Sequence, residues 1–147
     1  MNISKHFTLE ELTTTNHNVE NIPNETQIDN LTYLCNNLLE PIRENFNEPV
    51  IISSAFRCEA LDNLVSAKPI PTSQHRTGQA VDIVGKHNLY EMYEYVKMNL
   101  DYDQMILEGC KSFDDMKSLH WLHISLKKEH NRREILVMSG GKYKKIK

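Results

Sequence analysis

Cysteine, net charge and long apolar runs are all scarce in this 147-residue chain, and each scarcity closes off a class of protein. Three cysteines, Cys35, Cys58 and Cys110, are an odd set with no CxxC spacing. They argue against a disulfide framework and against a cysteine-type zinc site. They read as free thiols, buried or, for Cys58, semi-exposed, in a chain that folds in a reducing compartment. A net charge of −3 gives no signature of nucleic-acid or anionic-membrane binding. The only basic run, Lys142 to Lys147, reads as a solvated end. No apolar run approaches the length of a membrane span, and the opening Met1-Asn2-Ile3-Ser4-Lys5-His6 is too polar for a secretory leader. The expectation is a monomer, made in the cytoplasm, that reaches any substrate outside it by another route.

What is present is one domain's worth of amphipathic sequence, without repeat, linker or low-complexity segment. Residues 1–26 read as an N-terminal arm, in which Thr8 caps a helical turn, Glu11 completes a capping box and Phe7 is a staple to Leu12. From Gln27 to Phe46, Ile28, Leu31, Leu34, Cys35, Leu38, Leu39, Ile42 and Phe46 recur at helical steps, with Pro41 as a bend. Val50-Ile51-Ile52-Ser53-Ser54 reads as a buried strand. A loop carrying a short helix, Glu59 to Val65, follows. Strands are predicted at 80–84, 104–108, 121–126 and 134–138, and a second amphipathic helix from Leu89 to Leu100. The fold class is α+β, a small antiparallel sheet with flanking helices.

The chemistry concentrates between Ser73 and Asp82, where His75 precedes a strand and Asp82 lies within it. Alternation in Trp121-Leu122-His123-Ile124-Ser125 sends the leucine and isoleucine to the core and His123 to the other face. The same alternation separates Asp82 from Val81 and Ile83. Singly, a histidine beside a tryptophan is more often structural, and an aspartate in a strand more often a satisfied carboxylate. Together His75, Asp82 and His123 are enough protein ligands for a catalytic zinc, with the fourth position left for water. Nitrogen donors favour Zn2+ over calcium or magnesium.

Ser73-Gln74-His75-Arg76-Thr77-Gly78-Gln79-Ala80-Val81-Asp82 matches the SxHxxGxAxD motif of the zinc D-Ala-D-Ala carboxypeptidase and peptidoglycan endopeptidase family, the M15 peptidases. His6 to Leu12 resembles the amino-terminal segment of that family's small phage-type variant. Ile52 to Cys58 resembles its SGYR strand and loop, and Trp121 to Ser125 its WxHxS strand. The resemblance covers most of the chain. It implies a zinc DD-peptidase (hedgehog-like) fold, zinc held by His75, Asp82 and His123, and Arg57 near the substrate to hold a carboxylate or polarise the scissile carbonyl. Ser73 is a further candidate for substrate contact. The substrate class implied is the stem peptide of peptidoglycan, cut by a phage- or prophage-encoded enzyme after release or within a virion.

The chain departs from the pattern in two places. Residues 66–71, Ser-Ala-Lys-Pro-Ile-Pro, replace a glycine pair at the rim of the expected cleft. Where many members carry the acidic general base, three positions before the last histidine, this chain has His120. Two candidates for the base follow, Glu108 at the end of a strand and His120 itself, with alternation leaving the face of Glu108 undecided. A non-catalytic zinc-containing module that binds cell wall or builds a virion is the competing reading. A cysteine hydrolase using Cys58 or Cys110 lacks any nucleophile context.

Overall fold

Side-chain caps start the first two helices. Thr8 and Glu11 bond each other's backbone to open α1 (Leu9–Thr13), and Asn24 and Gln27 do the same for α2 (Glu25–Leu34). The computed structural model describes residues 1–66, 70–85 and 88–146. Residues 67–69, central to the departure expected at the cleft rim, lie outside the described residues.

The predicted helix from Gln27 to Phe46 is continuous but not uniform. A π segment, Cys35–Leu39, separates α2 from α3 (Glu40–Phe46). Proline cannot donate an amide and its ring crowds the carbonyl four residues back. The turn therefore widens just before Pro41, with the Glu40 amide reaching back to the Cys35 carbonyl. Leu31, Leu34, Leu38, Leu39 and Ile42 stay fully buried along this bent stripe. Two further helices are α4 (Glu59–Val65) and α5 (Leu89–Asn99), the latter burying Leu89, Met92, Tyr93 and Val96.

The six strands are β1 (Ile51–Ser54), β2 (Ala80–Val84), β3 (Gln104–Glu108), β4 (Trp121–Ser125), β5 (Glu134–Ser139) and β6 (Lys142–Ile146), in the order β1-β2-β4-β3-β5-β6. The α+β class and a mostly antiparallel sheet hold, with three differences in detail. First, β3 and β5 pair in parallel, Gln104 opposite Glu134 and Leu107 opposite Val137. β4 ends beside the start of β3, and the loop after it passes that same edge at Asp103, so β5 also starts beside the start of β3. Second, the tail is exposed from Lys142 to Lys145, as expected, but forms a strand, β6, antiparallel to β5. Gly140 and Gly141 both take positive φ, 59° and 77°, the two-residue turn that matches strand twist. β1 differs too: it is an edge strand that leaves Ile51 exposed.

Val81, Ile83, Met105, Leu107, Leu122 and Ile124 are buried on one face of the sheet in the main hydrophobic cluster with the helices. The opposite face carries the polar residues discussed below. The N-terminal arm is part of the same body. Phe7 and Leu12 are buried, and the Phe56 amide donates to the Leu12 carbonyl at 3.0 Å. Among the described residues no helix is long and apolar enough to cross a membrane.

Candidate metal centre

His75 sits in a single 3-10 turn, Gln74–Thr77, immediately before β2. Such a turn has little stability of its own, and nearly every residue around His75 is tied elsewhere. The Gln74 amide donates to Asp103 at 2.9 Å. The Arg76 guanidinium donates to Asp62 at 2.8 Å and to Asn63 at 2.9 Å. From α2, Gln27 and Asn30 donate to the carbonyls of Arg76 and Thr77. Gly78 closes the turn with φ of 77°, and a Cβ there would stand 2.6 Å from the Gln27 carbonyl oxygen. Only glycine satisfies both the backbone angle and the approach to α2.

His75 itself is 3% exposed, and its Nδ1 lies 2.7 Å from the Ala55 carbonyl oxygen. A carbonyl only accepts, so the proton resides on Nδ1 and the Nε2 lone pair is left free. That Nε2 is 3.4 Å from Asp82 Oδ2, while His123 Nδ1 is 3.0 Å from Asp82 Oδ1. Asp82 and His123 are directly opposed across β2 and β4, which puts both side chains on the polar face of the sheet. One ligand atom from each of the three residues lies within 4.8 Å of the other two. Burial alone would raise the pKa of Asp82, but in the metal-free cluster the charge His75 carries when its ring is also protonated at Nε2, and the hydrogen bond from His123, hold it well below the usual carboxylate range. Two imidazole nitrogens, one with its tautomer fixed from behind, and an ionised carboxylate are a donor set suited to zinc.

Register decides what alternation left open for Glu108. Ile106 is opposite His123 and Glu108 is opposite Trp121, so Glu108 shares the polar face with His123 and Asp82. Its Oε1 is buried and has no hydrogen-bond partner among the described residues. Burial pushes its carboxyl up to about 7, with His123 working against the rise and Asp82 adding to it. The structure places His120 differently. It is exposed, one residue before β4, and lies over Gly109, where an added Cβ would come within 3.0 Å of the ring.

Arg57 follows the segment that supports His75: its amide donates to the His75 carbonyl at 3.0 Å. Its Nε is buried, 3.5 Å from Asp62 Oδ1, and has no hydrogen-bond partner among the described residues. Ser73 is half-buried at the start of the 3-10 turn, where its carbonyl accepts from the Arg76 amide at 3.1 Å. The cysteines are free, Cys35 and Cys110 buried and Cys58 half-buried, as expected from their spacing.

Several supporting residues escaped the reading of the sequence. Asn21 donates to the carbonyls of Thr13 and Phe56 and accepts from the Cys58 amide, fixing the 55–58 loop from the arm. Asp103 gathers Gln74, Arg132 and, at 3.6 Å, Lys127 around a carboxylate that is 1% exposed. Asp62 does the same for two arginines. A polar residue next to a predicted strand or helix carries no local sign that it will be buried, and only contact across the chain reveals these three.

His75, Asp82 and His123 could hold a metal ion, and the half-buried Glu108 shares the sheet face of Asp82 and His123, a set suited to metal-dependent hydrolysis. The Peptidase M15 family model matches residues 5–125, and the chain belongs to that family of zinc-dependent metallopeptidases. No curated protein matches it. The matched residues contain the whole cluster together with Arg57 and Glu108, while β5 and β6 lie beyond them.

Proposed function

We propose that the protein is a zinc peptidase that hydrolyses a bond in the stem peptide of peptidoglycan, with His75, Asp82 and His123 holding the metal and Glu108 as general base. The observation that carries this reading is the orphaned, buried Glu108 oxygen on the same sheet face as Asp82 and His123. Leaving a buried carboxylate oxygen unpaired costs free energy, and a base with a pKa of about 7 is matched to proton transfer at neutral pH. The exposure of His120 favours Glu108 over it.

Zinc at the cluster supplies Lewis acidity to a water molecule and to the scissile carbonyl. Glu108 takes a proton from that water as its oxygen bonds to the carbonyl carbon. Glu108 then returns the proton to the amine nitrogen as the C–N bond breaks. Asp82 stays ionised throughout, and Ala55 keeps His75 in the tautomer that leaves Nε2 free. Arg57 offers positive charge to the oxyanion or to a free substrate carboxylate, and the Ser73 hydroxyl is available to the peptide. A D-Ala-D-Ala terminus, a cross-link or an L-Ala-D-Glu bond each fits this chemistry. A phage enzyme that reaches the wall on lysis or in a virion fits it as well.

The test is digestion of purified peptidoglycan, with free amines counted and released muropeptides identified by mass. Release of one class of amine, lost in Glu108→Gln and in the presence of a zinc chelator, is the expected result. Zinc retained at one equivalent with no amine released from any peptidoglycan type would mark a non-catalytic module instead.

A further inference from the structure

Asp62 is a buried carboxylate that the hydrolytic steps above do not use. It lies in α4, 1% exposed, and faces two guanidiniums. Its Oδ2 accepts from Arg76 Nε at 2.8 Å, and its Oδ1 accepts from the Ser66 hydroxyl at 3.1 Å. Arg57 Nε stands at 3.5 Å from the same Oδ1 and makes no hydrogen bond among the described residues. One carboxylate thus balances two arginines, and the better-bonded one is Arg76. Arg57 is attracted and held but not consumed, so among the described residues its guanidinium is only partly compensated. A buried, incompletely paired cation is costly unless an anion completes it. The Arg57 backbone is meanwhile fixed by the His75 carbonyl, so its side chain has one well-defined origin.

We propose that Asp62 is a positioning residue that, with Arg76 occupying its second oxygen, presents Arg57 to an anionic group of the substrate. This rests on the reading of Arg57 as a substrate contact. Asp62 touches neither substrate nor metal and acts through Arg57. Its loss frees the guanidinium to swing and adds a second unbalanced arginine nearby, so Arg57 spends less time where the substrate needs it.

The experiment is a double-mutant cycle of Asp62→Asn and Arg57→Ala, with kcat and KM measured on a D-Ala-D-Ala-terminated stem pentapeptide and on a cross-linked muropeptide. Zinc content and melting temperature are recorded for each variant. Asp62→Asn is expected to lower kcat/KM on the cleaved substrate by about tenfold or more at unchanged zinc content, and to cost nothing further in the Arg57→Ala background. A general loss of structure would cost as much in either background. Wild-type kcat/KM in folded Asp62→Asn, or equal losses in both backgrounds, overturns the proposal. If Arg57→Ala alone has wild-type kinetics, the reading of Arg57 fails and the proposal falls with it. Should Asp62→Asn not fold, Asp62→Glu replaces it in the same cycle, because it keeps the charge and displaces it by one methylene.

Discussion

His75 comes from the turn before β2 and Glu108 from the end of β3, and the protein holds them in contrasting ways. The turn carrying His75 is tied down by Gln27, Asn30, Asp62 and Asp103, and its imidazole by the Ala55 carbonyl. Glu108 ends a regular strand, and its buried Oε1 is bonded to nothing among the described residues. A ligand must be immobile before the metal arrives, since each freedom lost on binding weakens affinity. A base must exchange a proton, and hydrogen bonds to its charged form would lower the pKa that makes it useful. One side is satisfied and rigid; the other is left polar and unpaired.

Removing a ligand should break the contrast most completely. His75→Ala is expected to lose zinc by elemental analysis and to drop peptide hydrolysis below detection, as the metal's several kcal/mol of charge stabilisation disappear. Glu108→Gln should separate the two sides. Hydrolysis falls by about 10²–10⁴-fold while zinc content stays at the wild-type level, and His120→Ala leaves the rate near wild type. Zinc lost along with activity in Glu108→Gln would mean that the two sides are not independent. Gly78→Ala probes the rigid side without touching a ligand. Its strained backbone and the contact with Gln27 should cost about 1–3 kcal/mol, read as a lower melting temperature together with weaker zinc binding.

The smallest effect concerns pH. Glu108 has its carboxyl raised by burial to about 7, so the folded state binds its proton more tightly than the unfolded state does. The stability it contributes is complete below the ordinary carboxylate range and is lost as pH rises through 7. In zinc-free protein, Glu108→Gln should therefore melt higher than wild type at pH 8, and the difference should close by pH 4. Equal melting temperatures at pH 8 would show that Glu108 is not desolvated.

Much of this contrast was legible beforehand on the rigid side and little of it on the other. His75, Asp82 and His123 were found because ligand chemistry restricts residue type, and because strand alternation shows which side chains leave the core. Glu108 was named, but its face followed only from the pairing of Ile106 with His123. The Gly140-Gly141 turn did carry a local sign of the final hairpin, hidden behind the lysines of β6.

Local order therefore determined the helices, most strands and the candidate ligands, because periodicity and donor chemistry act over a few residues, whereas the tautomer of His75 is set by the carbonyl of Ala55, twenty residues away. Tertiary structure alone decided which carboxylates lost water, Asp62 and Asp103 wholly and Glu108 at Oε1. Asp62, Asp103 and Glu108 look alike in sequence. One carries two arginines, one anchors the His75 turn and one is left unpaired, because desolvation and charge pairing depend on what the rest of the chain packs around each.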